Sequence, residues 1–143
     1  MKPIVLASDH AGFELKEKLK VWLIQQSVRV EDAGTNSEDA VDYPVIIKKA
    51  VQLVRHYGGF GIFVCGSGVG VSIVANRHKG IRAVLADKQV ITQLSRQHND
   101  CNVLCLAGRF ITFDEAKRLV QIFLETEFLG QHHKRRVEGI ELN

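Results

Sequence analysis

Residues 60–77 read Phe-Gly-Ile-Phe-Val-Cys-Gly-Ser-Gly-Val-Gly-Val-Ser-Ile-Val-Ala-Asn-Arg, and this stretch decides the fold. Its apolar run, Ile62 to Val64, is typical of a strand that is buried on both faces. A glycine-rich turn, Gly66 to Gly70, ends the strand and leads into a short helix over residues 69–76. The amides of the turn therefore lie at a helix N-terminus, where anions bind. Cys65 ends the strand, and we expect a reactive thiol that faces the same hollow.

The rest of the chain repeats this alternation of strand and helix. The other predicted strands are Lys2 to Ser8, Val28 to Glu31, Ile81 to Ala86 and Asn102 to Leu106. Helices are predicted between them, and the clearest helix follows Thr112 and Glu115, which have capping-box spacing. The pattern predicts one α/β domain over residues 1–143, built as a doubly wound, five-stranded parallel sheet in a three-layer sandwich.

The composition is that of an ordinary globular chain. Of its 143 residues, 45% are hydrophobic and 24% are charged, and the formal net charge is +3. This charge is too small to imply a nucleic-acid partner. No apolar run approaches the roughly 18 residues of a membrane span, and the N-terminus lacks the apolar core of a signal peptide. We therefore expect no membrane association and a cytoplasmic location, which the odd count of three cysteines fits as reduced thiols.

Polar clusters follow the first, third and fourth predicted strands, at Asp9 to Gly12, Gly66 to Gly70 and Ser95 to Asp100. We expect these clusters to share the carboxyl edge of the sheet, where open α/β sheets bind ligands. His10 and His98 would then join Cys65 in one site. Acid/base chemistry or phosphate binding suits both histidines, although each could instead be an exposed loop residue.

Two further expectations concern the helix over residues 87–97 and the C-terminal tail. Val90, Ile91 and Leu94 recur at helical spacing and are expected to face the core. The tail from Gly130 onwards is basic and weakly patterned. Its run His132 to Arg136 could be a solvated tail, a nucleic-acid patch or a phosphate-binding segment, of which the solvated tail fits the modest net charge best.

Other chemistries are weaker candidates. The turn at Gly66 to Gly70 lacks the spacing of Gly-x-Gly-x-x-Gly and has no Gly-Lys-Ser/Thr ending, so neither a dinucleotide nor a Walker-type site is supported. It could be a simple tight turn, and Cys65 could be a small buried hydrophobe. Cys101 and Cys105 resemble metal ligands, but an extended strand would separate them by about 13 Å. No metal is expected there.

Six motifs resemble the ribose-5-phosphate isomerase B family, which also contains the galactose-6-phosphate isomerase subunits. They are Asp9-His10-Ala11-Gly12, Asp42-Tyr43-Pro44, Cys65-Gly66-Ser67-Gly68-Val69-Gly70, Gly80-Ile81-Arg82-Ala83, Ser95-Arg96-Gln97-His98-Asn99-Asp100 and Arg136-Val137. The resemblance covers nearly the whole chain. It implies a flavodoxin-like sheet, a homodimer or homotetramer with active sites across the subunit interface, and no metal or organic cofactor. The tail 130–143 is then expected to pack at that interface.

The resemblance also implies roles for single residues. Cys65 matches the general base, His98 the acid/base that opens the sugar ring, and Ser67 the hydroxyl beside the reacting oxygens. The implied substrate contacts are Asp9, His10, Gly66, Ser67, Gly68, Val69, Gly70, Asn99, Arg109, His132 and Arg136. One departure is that many members have Arg-His where this chain has His132-His133. A histidine is a weaker cation than an arginine, which leaves a phosphate contact at His132 open.

The implied activity is the aldose-ketose isomerisation of D-ribose 5-phosphate and D-ribulose 5-phosphate in the pentose phosphate pathway, through ring opening and a cis-enediolate. Two alternatives remain at this point. The substrate could be a six-carbon sugar phosphate, such as allose or galactose 6-phosphate, because the same proton transfer serves each. The chain could also be a non-catalytic, flavodoxin-like module that binds a phosphate or a nucleotide.

Overall fold

The computed structural model describes residues 1–141, and strands and helices alternate along nearly all of this range. The elements in chain order are β1 (Ile4–Ser8), α1 (Phe13–Gln25), β2 (Val30–Asp32), α2 (Tyr43–Tyr57), β3 (Gly61–Cys65), α3 (Val69–Asn76), β4 (Ala83–Leu85), α4 (Gln89–Gln97), β5 (Val103–Ala107), α5 (Phe113–Glu125) and α6 (His132–Glu138). No helix within this range is both long enough and apolar enough to cross a bilayer.

The five strands form one parallel sheet in the order β2-β1-β3-β5-β4. The predicted doubly wound, five-stranded parallel sheet is confirmed. Flavodoxin itself has its fourth strand beside its third, whereas here β5 takes that place and the three-residue β4 forms the edge. The strand order reverses direction between β1 and β3, so the residues that follow these two strands flank a crevice.

Helices cover both faces of the sheet, and the central strand supplies a core to each. Along β3, Ile62 and Val64 point into the core that contains α1 and α5, while Phe63 and Cys65 point into the core that contains α2 and α3. This division follows from the two-residue period of a strand. All five residues of β3 are buried, as the apolar run in the sequence predicts. The Cys65 side chain consequently faces the α2–α3 layer.

Helix α4 buries a different face from the one that the sequence predicts. Thr92, Ser95 and Arg96 are buried, whereas Val90 and Ile91 are 58% and 45% exposed. The prediction that the apolar residues face the core was therefore wrong for Val90 and Ile91, while Leu94 is half-buried. The reason is Arg96, whose guanidinium lies 4.7 Å from the centroid of the Phe60 ring and donates to the Cys101 carbonyl at 2.7 Å. A planar guanidinium can stack on an aromatic ring in place of an aliphatic side chain.

The basic tail is more ordered than its weak pattern suggests. Residues 132–138 form the short helix α6, and the segment before it is fixed by a hydrogen bond from the Leu129 amide to the Gln97 carbonyl at 3.1 Å. After α6, a carboxylate oxygen of Glu141 accepts from the Gly80 amide at 2.8 Å. Leu142 and Asn143, the last residues of the predicted tail segment, lie outside the described residues.

A buried ion network joins α1 to β2. Lys16 has no exposed surface, and its Nζ donates to the two carboxylate oxygens of Asp32 at 2.7 and 2.8 Å. Lys20 also donates to Asp32 at 2.8 Å, and the Gly34 amide does so at 2.9 Å. Burial by itself would raise the pKa of Asp32, but these hydrogen bonds outweigh it, and the pKa lies below its ordinary value. Asp32 is therefore the main counter-charge that makes a buried Lys16 tolerable, and a carboxylate oxygen of Glu17 accepts from the same ammonium at 3.1 Å.

Asp32→Asn should lower the free energy of unfolding by about 3 kcal/mol, because the fully buried Lys16 ammonium would lose its shorter carboxylate contacts and keep only Glu17, at 3.1 Å, as a counter-charge. Urea denaturation at pH 7 measures this loss. An ionised carboxylate with a lowered pKa stabilises the fold above its unfolded value of 3.8, and this stability disappears as the pH falls through the lowered folded value. The difference between wild type and variant should therefore shrink in acid.

The control for this experiment is Glu14→Gln on the same helix. It removes the exposed pair between Glu14 and Lys18, whose atoms are 3.2 Å apart, and exposed pairs contribute roughly 0.5 kcal/mol or less. Equal losses for Asp32→Asn and Glu14→Gln would contradict the role assigned to the buried network.

Candidate active site

The thiol of Cys65 lies at the carboxyl end of β3, inside the turn that follows it. Cys65 is 5% exposed, and its sulfur accepts a hydrogen bond from the Gly68 amide at 3.1 Å. An amide donor aimed at sulfur stabilises negative charge on that atom. The turn then becomes the first turn of α3, where the amides of Gly70 and Val71 have no acceptor within the helix. The arrangement therefore combines a potential base with donors for an anion.

Gly68 is required for this arrangement because its backbone is left-handed, with φ of 76°. A Cβ atom at this position would lie 2.4 Å from Cδ1 of Leu85 and 3.1 Å from the carbonyl carbon of Leu106. A side chain here would therefore have to displace Leu85, press on the Leu106 backbone and adopt a left-handed backbone that favours glycine. The neighbouring Ser67 is exposed, and its hydroxyl oxygen accepts from the Val69 amide at 3.2 Å. Ser67 thus stands at the mouth of the turn.

The turn after β1 lies beside the turn after β3. Asp9 is buried, its amide donates to the Val64 carbonyl at 3.2 Å, and its carboxylate accepts from the Gly12 amide at 3.0 Å. His10 is half-buried, and its Nδ1 accepts from the Val41 amide at 3.3 Å. When the ring is neutral, its proton therefore lies on Nε2, which is left as a donor. Both residues flank the crevice at the point where the strand order reverses.

Arg109 brings a positive charge to the same edge. Its amide donates to the Gly66 carbonyl at 3.1 Å, and the preceding Gly108 amide donates to the Cys65 carbonyl at 2.8 Å. A Cβ atom placed on Gly66 would lie 3.1 Å from a terminal nitrogen of the Arg109 guanidinium. The exposed guanidinium therefore lies directly over the glycine turn, where it can attract an anionic substrate. Asp9, His10, Cys65, Arg109 and the turn at residues 66–70 form the carboxyl-edge half-site.

The remaining predicted residues do not lie at this edge. His98 and Asn99 follow the end of α4 and precede β5, so they are at the opposite, amino edge of the sheet. The prediction that the cluster Ser95 to Asp100 shares an edge with Cys65 was wrong for this reason. The nine residues of α4 carry the chain back by about 13 Å, from the carboxyl edge of the sheet to the amino edge. Cys65 pairs with Ala107, at the far end of β5 from His98.

The predicted site residues of the tail lie at the same amino edge as His98. The ring of His133 stacks on that of His98, with centroids 4.2 Å apart and planes inclined by 12°. The ring of His132 lies 4.0 Å from that of His133, and Arg136 follows one helical turn later on α6. We call His98, Asn99, His132 and Arg136 the amino-edge half-site. The structure thus divides the predicted site residues into two groups at opposite edges of one sheet.

Two side chains next to the half-sites were not singled out by the sequence analysis. The ring of Tyr43, at the start of α2, lies 2.6 Å from the position that a Cβ atom of Gly70 would take. Tyr43 belongs to the motif Asp42-Tyr43-Pro44, which therefore marks a wall of the glycine turn as well as a helix start. His133 is the second. Nothing in its sequence position beyond its adjacency to His132 signals the stack with His98.

The other two thiols, of Cys101 and Cys105, are buried packing residues. Burial raises the pKa of Cys101 to about 11, despite the nearby positive charges of Arg82 and Arg96. Burial also raises the pKa of Cys105, which is fully enclosed in the core, and the neighbouring thiols Cys65 and Cys101 raise it further. Within residues 1–141, no three His, Cys, Asp or Glu side chains converge as the ligands of a metal ion would.

The fold and the site define an α/β protein whose parallel sheet carries a cysteine thiol beside a glycine-rich turn at a helix N-terminus. The model of the ribose/galactose isomerase family matches residues 4–140 of the chain. The chain is also 42% identical over 143 residues to ribose-5-phosphate isomerase B of Escherichia coli (strain K12). The alignment covers 98% of this chain and 95% of the relative. The chain therefore belongs to the ribose/galactose isomerase family.

Solved structures agree with this assignment. A ribose 5-phosphate isomerase from Thermotoga maritima superimposes with a TM-score of 0.94 at 48% identity, over 97% of each chain. Ribose-5-phosphate isomerase B from Mycoplasma genitalium, solved with bound ribulose-5-phosphate, gives a TM-score of 0.92 at 39% identity. That superposition covers 96% of this chain and 93% of the Mycoplasma chain. The family predicted from the six motifs is confirmed.

Iodoacetamide at pH 8 should alkylate Cys65 before Cys101 or Cys105. The raised pKa values of the two packing cysteines keep them as thiols, which are poor nucleophiles. The sulfur of Cys65 instead accepts a hydrogen bond from the Gly68 amide, in a turn that opens to solvent at Ser67. Timed peptide mass spectrometry measures the three rates. Cys65→Ser should remove the fastest phase, and alkylation of Cys101 ahead of Cys65 would contradict this reading of the turn.

Proposed function

We propose that this chain interconverts D-ribose 5-phosphate and D-ribulose 5-phosphate as a metal-free aldose-ketose isomerase. The observation that carries the proposal is the Cys65 sulfur, which accepts a hydrogen bond from the Gly68 amide at 3.1 Å inside a turn suited to anion binding. Family membership and the ribulose-5-phosphate bound to the Mycoplasma relative support the choice of substrate. The reaction belongs to the pentose phosphate pathway. A cytoplasmic location suits the three free cysteines, because free thiols persist in a reducing compartment.

The reaction needs two kinds of proton transfer. Ribose 5-phosphate is mostly a closed ring, so one group must move a proton between the anomeric hydroxyl and the ring oxygen before the chemistry at carbon begins. His98 has this role. Cys65, as thiolate, then removes the proton from carbon 2 of the open aldehyde and returns it to carbon 1. The C–H electron pair becomes the double bond between carbons 1 and 2 and displaces the carbonyl π pair onto oxygen 1, which gives a cis-enediolate. When carbon 1 is protonated, the hydroxyl proton of oxygen 2 passes to oxygen 1, and carbon 2 becomes the ketone carbonyl.

The enediolate is negatively charged, and the turn after β3 is built to receive that charge. The amides in the first turn of α3 have no acceptor within the helix, and the Ser67 hydroxyl lies beside them. Donors that are fixed before the reaction stabilise developing charge at little cost in reorganisation. Asp9 and His10 contact the sugar from the adjacent turn. Arg109 and Arg136 hold the phosphate, and we assign His132 as a weaker contact.

One chain cannot place these groups together. Cys65 lies at the carboxyl edge and His98 at the amino edge, separated by at least the length of β5, which is about 13 Å. A general acid must come within about 3 Å of the atom that it serves. We therefore propose a homodimer in which the carboxyl-edge half-site of one subunit meets the amino-edge half-site of the other. Two such dimers could assemble into a tetramer.

An exposed apolar surface gives this dimer an interface. Exposed side chains from α3, the end of β4 and α4 contribute to it, namely Val69, Ile73, Leu85, Val90 and Ile91. The surface begins at the glycine turn, since Val69 is part of that turn and Leu85 packs against Gly68. A second copy that covers these residues would also bring its own elements next to Cys65. Residues 130–141 of the tail pack at the same interface in this proposal.

The first experiment follows ribose 5-phosphate in deuterated water by NMR, with chelator present. The wild type should form ribulose 5-phosphate and incorporate deuterium at carbon 2 of the recovered aldose. Cys65→Ala should lower both signals about 10³-fold, since the base is lost, while the fold is unchanged by circular dichroism. Retained exchange would remove Cys65 as the base. Turnover of allose or galactose 6-phosphate alone would identify a six-carbon isomerase, and silence on all three sugars would favour a binding module.

A second experiment tests the shared site by mixing two inactive variants, Cys65→Ala and His98→Asn. A mixed dimer has one site with both changes and one site with neither, so random pairing should restore about a quarter of the wild-type activity. The variants are unfolded together, refolded together and assayed with ribose 5-phosphate. Refolding each variant alone and mixing it afterwards without exchange is the matched control. An absence of recovery in verified mixed dimers would show that Cys65 and His98 do not meet across subunits.

A further inference from the structure

The imidazole of His133 covers one face of the imidazole of His98. The two centroids are 4.2 Å apart and the planes differ by 12°, which is the geometry of parallel aromatic stacking. His132 extends the group, with its ring centroid 4.0 Å from that of His133 at an inclination of 39°. Three imidazoles from two elements, α4 and α6, therefore lie in contact at the amino edge.

The backbone on both sides of this stack is fixed. The His98 amide donates to the Leu94 carbonyl at 2.8 Å at the end of α4. The segment that leads into α6 is fastened to α4 by the Leu129 amide, which donates to the Gln97 carbonyl at 3.1 Å, and the His133 amide donates to the Gly130 carbonyl at 3.0 Å. The stacked ring of His133 thus belongs to a segment that is tied to the same helix end as His98.

Ring orientation matters for the step that we assign to His98. Opening the sugar ring requires one imidazole to address both the anomeric hydroxyl and the ring oxygen, and a misplacement of about 1 Å can lower a rate about 10²-fold. His98 is half-buried, and its partner on one face is His133. A flat ring on that face restricts rotation of the His98 side chain about its second torsion angle, which is otherwise broad.

We propose that His133 is a positioning residue for ring opening, which holds the His98 imidazole in the plane that the cyclic sugar requires. This role rests on the ring-opening function proposed for His98. His133 itself does not touch the reacting atoms. It acts through the face of its ring, so another flat aromatic ring can replace it, whereas a small aliphatic residue cannot.

The charges around the stack are compatible with this role. His132 and Arg136 face His133 from α6, and His98 faces it from the end of α4. Partial burial, followed by these three positive or potentially positive neighbours, lowers the pKa of His133. The lowered pKa favours the neutral form of His133, which reduces charge repulsion between its ring and that of His98.

The test compares His133→Ala with His133→Phe in two reactions of the full-length protein. The first is conversion of ribose 5-phosphate, which needs ring opening. The second is deuterium exchange at carbon 1 of ribulose 5-phosphate, which is open-chain because its 5-hydroxyl carries the phosphate. His133→Ala should lower kcat for ribose 5-phosphate about tenfold or more but change the exchange rate less than twofold. His133→Phe should restore most of that kcat.

Lys134→Ala, one residue further along α6, is the control for general effects on the helix, and it should leave both rates unchanged. Equal losses of His133→Ala in both reactions would assign His133 to the packing of α6 and overturn the proposal. A loss for His133→Phe as large as that for His133→Ala would also overturn it, since stacking would then not be the active property. Absence of both reactions in the wild type would instead overturn the proposed isomerase function, and the role of His133 with it.

Discussion

In a parallel sheet each helix must return the chain to the edge from which the previous strand began, and the whole site of this protein depends on that constraint. Residues that follow a strand collect at the carboxyl edge, and residues that follow a helix collect at the amino edge. Cys65 is the last residue of β3, whereas His98 is the first residue after α4. No change of side-chain rotamer can bring them together across the length of β5. A shared active site in this fold therefore requires a second copy of the chain.

The carboxyl edge depends in turn on close backbone packing around β3. A Cβ atom on Gly12 would lie 2.5 Å from the Val64 carbonyl oxygen, and one on Gly68 would meet Leu85 and Leu106. The turn after β1 can therefore pack against β3, and the turn after β3 against β4 and β5, only because these positions lack side chains. This closeness places Asp9 and His10 beside the Cys65 thiol. The glycines act as spacers here, and the chemistry is carried by the residues between them.

The sequence was sufficient to predict the parts of the structure that local rules determine. The strand Ile62 to Val64, the capping box at Thr112 and the turn after Cys65 follow from residue type and spacing, and they are found where the sequence places them. The burial of α4 could not be predicted in this way. Hydrophobic spacing selects an apolar face, but the core accepted Arg96 because two aromatic rings and two carbonyl groups were available to its guanidinium.

The candidate site was predictable in its members but not in its arrangement. The prediction that His98 shares an edge with Cys65 assumed that the polar cluster at residues 95–100 directly follows a strand. The cluster instead lies at the end of helix α4, which returns the chain to the amino edge of the sheet. The stack of His133 on His98 was hidden for a similar reason. It depends on how α6 docks against the end of α4, and a seven-residue basic segment carries no periodic signal for that docking.

The two edges also differ electrostatically, and this difference explains why the reaction profits from joining them. Helix N-termini at the carboxyl edge carry partial positive charge, which suits a thiolate, a phosphate and an enediolate. Helix C-termini at the amino edge carry partial negative charge, which suits cationic and proton-donating side chains such as Arg136 and His98. A single edge offers only one of these environments. In the proposed dimer, two copies that meet edge to edge would give one substrate both environments, with the anion held by α3 and the proton donor placed at the end of α4.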